Sequence, residues 1–151
     1  MEVKKAQPPI IDLIATVLPV SENSIYSFGD TIYNPSGKDL SPDLIHHEEV
    51  HAKQQGNKPT EWWSRYLSDP AFRLQQELEA YGEQYLFAKE NIDRAADEAA
   101  KEDKVLKINT AKLKRWALES MALALSGKEY GNIVSYGEAE SKIRNYSKVG
   151  R

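Results

Sequence analysis

LIHHEEVHAKQQ, residues 44–55, is the stretch on which the reading of this chain turns. Advancing about 100° per residue from Leu44, the α-helical period, places His47 at about 300°, His51 at about 340° and Glu48 at about 40°. Two imidazoles and one carboxylate therefore share a face with Leu44, while His46 and Glu49 point away. Histidines one turn apart can reach a single zinc ion, and a glutamate beside them is placed to take a proton from water on that ion. Ser41 and Pro42 supply a helix start and Gly56 a stop. His46 is expected to be structural or solvent-facing.

The chain has three histidines and no cysteine. A transition metal can thus be held only by imidazole and carboxylate. A catalytic zinc takes a third protein ligand and leaves one position for water. The segment FRLQQELEAYGEQYL, residues 72–86, offers Glu77, Glu79 and Glu83. With Leu74 at 0°, Leu78, Tyr81 and Tyr85 fall within about 40° of it and define the buried stripe, with Glu77 on its shoulder and Glu79 and Glu83 toward solvent. Glu77 is the candidate third ligand. An ion pair with Arg73, one turn earlier, is the alternative use of its carboxylate.

Working outward, Pro9 and the apolar spacing of Ile10, Ile14, Val17 and Leu18 predict a short helix over 9–18, with a strand as the alternative. Two β-prone runs, Ser24 to Phe28 and Thr31 to Asn34, flank Gly29-Asp30 and read as a hairpin. Two strands alone are marginal in water, so the hairpin must rest on helices or gain a third strand. Thr60 is the expected cap of EWWSRYL, and Asp69-Pro70 opens a helix running through at least Ala88 and on into the charged segment 89–104. Thr110 is the expected cap of a helix with Leu113, Trp116, Ala117, Met121 and Leu125 on one side. Ser135 and Glu138 form a capping box for a last helix over 136–146. The expectation is a predominantly helical α+β fold, one domain over 1–151: a small hairpin or sheet on the histidine helix and the Glu77 helix, followed by C-terminal helices.

With 40% hydrophobic and 28% charged residues in 151, the chain can bury one core but not two typical ones. The net charge of −3 and scattered basic residues argue against nucleic-acid binding. MEVKKAQPPIIDLIATVLPVS has a short apolar run broken by Asp12 and no small-residue cleavage pattern, so no signal peptide is expected. No stretch approaches the roughly 20 apolar residues of a membrane span. A cytoplasmic protein of unspecified oligomeric state is the expectation.

HEEVH followed by a helix bearing Glu77-Leu78-Glu79-Ala80-Tyr81 resembles the gluzincin zinc metallopeptidases, with their HExxH helix and later glutamate helix. In size it is similar to the single-domain minigluzincins, and the TIY-proline run resembles short phage- and prophage-type HExxH proteins. The resemblance covers roughly residues 9–88. It implies zinc on His47, His51 and Glu77, Glu48 as general base, and a peptide or protein substrate aligned along the strand Thr31, Ile32, Tyr33 and Asn34 by β-augmentation. Tyr81 stands where many gluzincins carry an acid that orients a histidine ligand. Tyr81 is the candidate to orient that ligand, and Tyr130, Tyr136, Arg144 or Tyr81 itself are the candidates to stabilise an oxyanion.

The leading expectation is a zinc-dependent peptidase. The rival expectations are a zinc-stabilised structural or interaction protein of the same fold, and a helical module whose histidines are incidental. Trp62, Trp63 and Tyr66 serve as core or line a cleft in any of these.

Overall fold

The computed structural model describes residues 1–105 and 107–147. The elements in chain order are β1 (Glu2–Lys4), α1 (Ile11–Ala15), β2 (Tyr26–Phe28), β3 (Thr31–Tyr33), α2 (Pro42–Gln55), α3 (Pro59–Ser68), α4 (Pro70–Glu102), α5 (Thr110–Leu125) and α6 (Tyr136–Arg144), with a 3₁₀ turn at Lys128–Tyr130. The fold is the expected α+β arrangement, mostly helical with a small sheet. None of the described helices is long and apolar enough to cross a membrane.

The hairpin forms where Gly29-Asp30 predicts it. Gly29 takes a φ of +59°, which a type II′ turn requires at its first central position, and Tyr26 pairs with Tyr33 and Phe28 with Thr31. The third strand comes from the chain's beginning. β1 pairs parallel to β3, Val3 opposite Ile32, giving the order β1-β3-β2. This corrects one expectation: Thr31 to Asn34 do not form an edge. Both sides of β3 are already hydrogen-bonded, Ile32 is fully buried, and the Asn34 side chain donates to Lys38 O at 2.7 Å. EVK gave no strand signal because the run is only three residues long, and all three are exposed.

α4 is the beam of the molecule. Asp69 caps it by accepting from the Phe72 N–H at 3.0 Å, and it packs against α2, α3, α5 and α6. Two apolar clusters sit along it. One joins Tyr81, Tyr85 and Ala88 to Leu118, Met121, Leu125, Ala139 and Ile143. The other gathers Ile14, Leu18, Tyr26, Trp62, Trp63, Tyr66 and Leu67 beneath the sheet.

Several boundaries and faces differ from expectation. α1 is shorter than 9–18, though Leu18 N–H still bonds Ile14 O at 2.9 Å. α3 begins at Pro59, so Thr60 lies inside it, and Asn109 rather than Thr110 caps α5, accepting from the Lys112 N–H at 3.0 Å. Leu113 and Trp116 are exposed, because α5 turns Leu118, Met121, Ala122 and Leu125 inward instead. Glu83 is buried and accepts from the Tyr146 hydroxyl at 3.1 Å, while Glu79 is half-buried with Gln54 Nε2 3.4 Å away; neither faces open solvent. The Tyr146 ring reaches Glu83 because Gly82 has no side chain: a Cβ there would lie 2.1 Å from that ring.

Candidate metal centre

α2 presents His47 and His51 from successive turns, and α4 presents Glu77 across from them. All three are nearly inaccessible, at 3%, 6% and 2% exposure. His47 Nε2 lies 3.0 Å from His51 Nε2 and 3.4 Å from Glu77 Oε2, and His51 Nε2 lies 3.2 Å from Glu77 Oε1. Among the described residues this is the group of His and carboxylate side chains close enough to share one ion. Arg73 does not compete for Glu77. Its guanidinium donates to the carbonyls of Tyr66, Leu67 and Tyr130 instead.

The glutamines behind the histidines fix which nitrogen is free. Gln84 donates through Nε2 to Asp43 Oδ2 at 2.8 Å, so its Oε1, 3.0 Å from His47 Nδ1, must accept from that ring. Gln54 likewise donates to Gln76 O at 3.0 Å and turns its Oε1 to His51 Nδ1 at 2.8 Å. Both rings therefore carry Nδ1–H and aim Nε2 lone pairs at each other and at a carboxylate. Two imidazole nitrogens and a carboxylate at this range need a proton or a metal ion between them.

Side-chain electrostatics express the same demand. Burial disfavours charge on His51, yet the Glu77 carboxylate more than reverses this and holds the imidazole up at about 9. Burial likewise pushes the Glu77 carboxyl up, but His51 and His47 outweigh it and hold the group well below the usual carboxylate range. Glu77 Oε1 accepts from the Tyr66 hydroxyl at 2.6 Å, whereas Oε2 is buried with no hydrogen-bond partner. A metal ion fits that orphaned oxygen. Bonds of about 2.0–2.2 Å to a tetrahedral zinc set ligand atoms about 3.3 Å apart, close to the three separations found here.

The trio sits in the wall of a cavity of about 600 Å³. Glu48, 5% exposed, lines the same cavity, as do Leu44, Trp62, Trp63, Tyr66, Tyr81 and Tyr130. The tryptophans are thus both core and cavity wall. Tyr81 packs edge-on against the His47 ring at 4.5 Å and shares a 2.7 Å hydrogen bond with the Tyr130 hydroxyl. Burial first, and the Glu77 charge second, raise both phenols well above their ordinary values, so both stay protonated donors. Tyr136 is exposed and Arg144 pairs with Glu140, and neither lines the cavity. Nor do Thr31, Ile32, Tyr33 or Asn34. The outer carbonyl of the cavity-lining Ser27 on β2 is already held by Gln55 Nε2 at 2.9 Å and Trp63 Nε1 at 3.0 Å. His46 turns away from the trio, as its wheel position requires, and stacks on Phe87 at 4.7 Å.

Sequence reasoning missed Tyr66, Gln54 and Gln84 as partners of the ligands. Gln84 was open to discovery, since it lies seven residues after Glu77 and so on the same helix face. Tyr66 was not, because its position depends on how α3 crosses α4.

No protein-family model, curated protein or solved structure matches the chain, and the gluzincin resemblance therefore rests on the motif residues alone.

Proposed function

We propose that the chain is a zinc-dependent metallopeptidase acting on a peptide or protein in the cytoplasm, with His47, His51 and Glu77 as ligands and Glu48 as general base. One observation carries the reading: three buried acceptors converge at zinc-like spacing around an orphaned Glu77 oxygen, in a cavity that Glu48 also lines. Zinc bound there would bring the pKa of a coordinated water toward about 7 and polarise a substrate carbonyl.

The chain's own residues supply the rest. Glu48 takes the proton of the attacking water and returns it to the leaving amine. Gln84 and Gln54 keep both imidazoles in the tautomer that leaves Nε2 free. In the Tyr81–Tyr130 pair one hydroxyl proton joins the two phenols and the other remains for a developing oxyanion. The apolar and aromatic walls exclude bulk water.

The test is Glu48→Gln. The variant should retain one zinc per chain by mass spectrometry and lose hydrolysis by about 10²- to 10⁴-fold. Undiminished hydrolysis would remove Glu48 from the mechanism. Stoichiometric zinc in a wild type that cleaves no member of a peptide library would replace the peptidase with a metal staple between α2 and α4.

A further inference from the structure

One helix is apolar on two faces. α5 turns Leu118, Met121, Ala122 and Leu125 into the core. Advancing about 100° per residue from Leu113 places Trp116 at about 300°, Ser120 at about 340°, Leu123 at about 280° and Ala124 at about 20°, whereas the four buried residues fall between about 80° and 180°. A second stripe therefore runs along the outer side of the helix. Trp116 is 69% exposed and Leu123 68%, and Leu113 is exposed between core and solvent with them. Val105 and Ile108, just before the helix, are exposed as well. Contiguous exposed apolar side chains of this kind mark a surface that something covers.

Charge says what covers it. Residues 104–118 hold Lys104, Lys107, Lys112, Lys114 and Arg115 and not one Asp or Glu, a local basic excess within a chain whose net charge is −3. Lys114 is held by Asp93 at 2.7 Å, and among the described residues no ion pair engages the other four. On the same wheel Lys112 and Arg115 fall at about 260° and 200°, along one flank of the stripe beside Trp116. Glu119, the single carboxylate of α5, follows one turn after Arg115, and the four free cations outweigh it.

Partners of different chemistry would meet this face differently. A second copy of the chain, docked through a twofold axis, would bring the same four cations against each other. A nucleic acid would neutralise the cations but leave Leu113, Leu123, Val105 and Ile108 in water. An anionic bilayer surface takes both: its headgroups meet lysine and arginine, its acyl boundary takes the aliphatic side chains, and an indole sits between the two.

From this pairing of charge and apolar surface we propose that α5 docks on a membrane surface carrying anionic lipid, with Trp116 and Leu123 at the acyl boundary and Lys104, Lys107, Lys112 and Arg115 on the headgroups. The helix lies in the plane of the surface and does not cross it. Its outer stripe ends at the cavity, whose lining includes Ser120, Leu123 and Ala124, so docking turns the cavity mouth toward the bilayer. This docking is independent of the chemistry at the candidate metal centre.

The experiment mixes the full chain with vesicles of phosphatidylcholine alone, or of phosphatidylcholine with phosphatidylserine, and reads co-sedimentation. Binding to the anionic vesicles should exceed binding to the neutral ones by about tenfold or more at low salt, and the excess should shrink at high salt. Lys112→Gln with Arg115→Gln should weaken it by about 25-fold, at about fivefold for each cation. Trp116→Ser should weaken it by about fivefold or more. All three positions are exposed, so these variants keep the fold. Brominated acyl chains should quench Trp116, since Trp62 and Trp63 are buried, and that quenching should be missing from Trp116→Ser. Equal binding to both vesicles, binding to neither, or binding that these variants leave intact overturns the proposal. So does charge-dependent binding without bromine quenching, which assigns the cations to a polyanion such as a nucleic acid, and so does lipid-free self-association that buries Trp116.

Discussion

The two apolar clusters along α4 are built to different rules. Around Leu118, Met121, Leu125, Ala139 and Ile143, helix meets helix through aliphatic side chains, several of them with no exposure at all. Around Trp62, Trp63 and Tyr66 the walls are aromatic, and His47, Glu48, His51, Gln55, Glu77 and Gln84 are buried near them. Burying such groups costs free energy unless each finds a partner, and Glu77 Oε2 finds none. The aliphatic end therefore supplies stability that the polar end consumes. One continuous helix passes through both, so Glu77 is anchored by packing that lies outside the candidate metal centre.

The contrast can be broken most sharply at Glu77. Glu77→Ala should lower zinc affinity by more than about 100-fold, beyond what is usual for partners that only orient ligands. It should also abolish the loss of thermal stability that a chelator causes in the wild type. Metal titration and paired melting curves check both.

Leu125→Ala probes the other end. It should cost about 2–5 kcal/mol in denaturant unfolding while leaving zinc stoichiometry at one per folded chain. Loss of zinc from the folded variant would show that the two ends are not separable. Gln84→Ala sharpens the polar end, since it frees the His47 ring without touching a ligand. A fall in zinc affinity of about 10- to 100-fold is expected, with a loss of about 1–3 kcal/mol in the metal-free protein, because the buried His47 Nδ1–H loses its acceptor. The smallest effect belongs to Trp116→Ser. That side chain is 69% exposed, and the change should stay within about 0.5 kcal/mol.

The same contrast governs how much was legible in the sequence. A helix period is local, so the wheel placed His47, His51 and Glu77 on inward faces before any tertiary information existed. The hairpin was equally local, since Gly29 fixes its turn. Features that depend on distant partners were not legible. β1 joins the sheet through parallel pairing across 29 residues, Glu2 to Thr31, and this alone turns β3 from edge to centre. Glu83 faces inward because Tyr146, 63 residues later, reaches it. On α5 the wheel assumed one buried face along the whole helix, whereas Leu113 and Trp116, in its first half, stay exposed.

The Tyr146 ring over Gly82 also sets an order of events during synthesis. The 63 residues from Glu83 to Tyr146 take a ribosome about 3–13 seconds at roughly 5–20 residues per second. Helix pairing is far faster than that. α2 and the first half of α4 can therefore meet, and His47 can find Gln84, while the chain that closes over Gly82 has not yet been made. The candidate metal centre is then the early-born part of the molecule, and the tail is the last piece to lock the helix turn next to it.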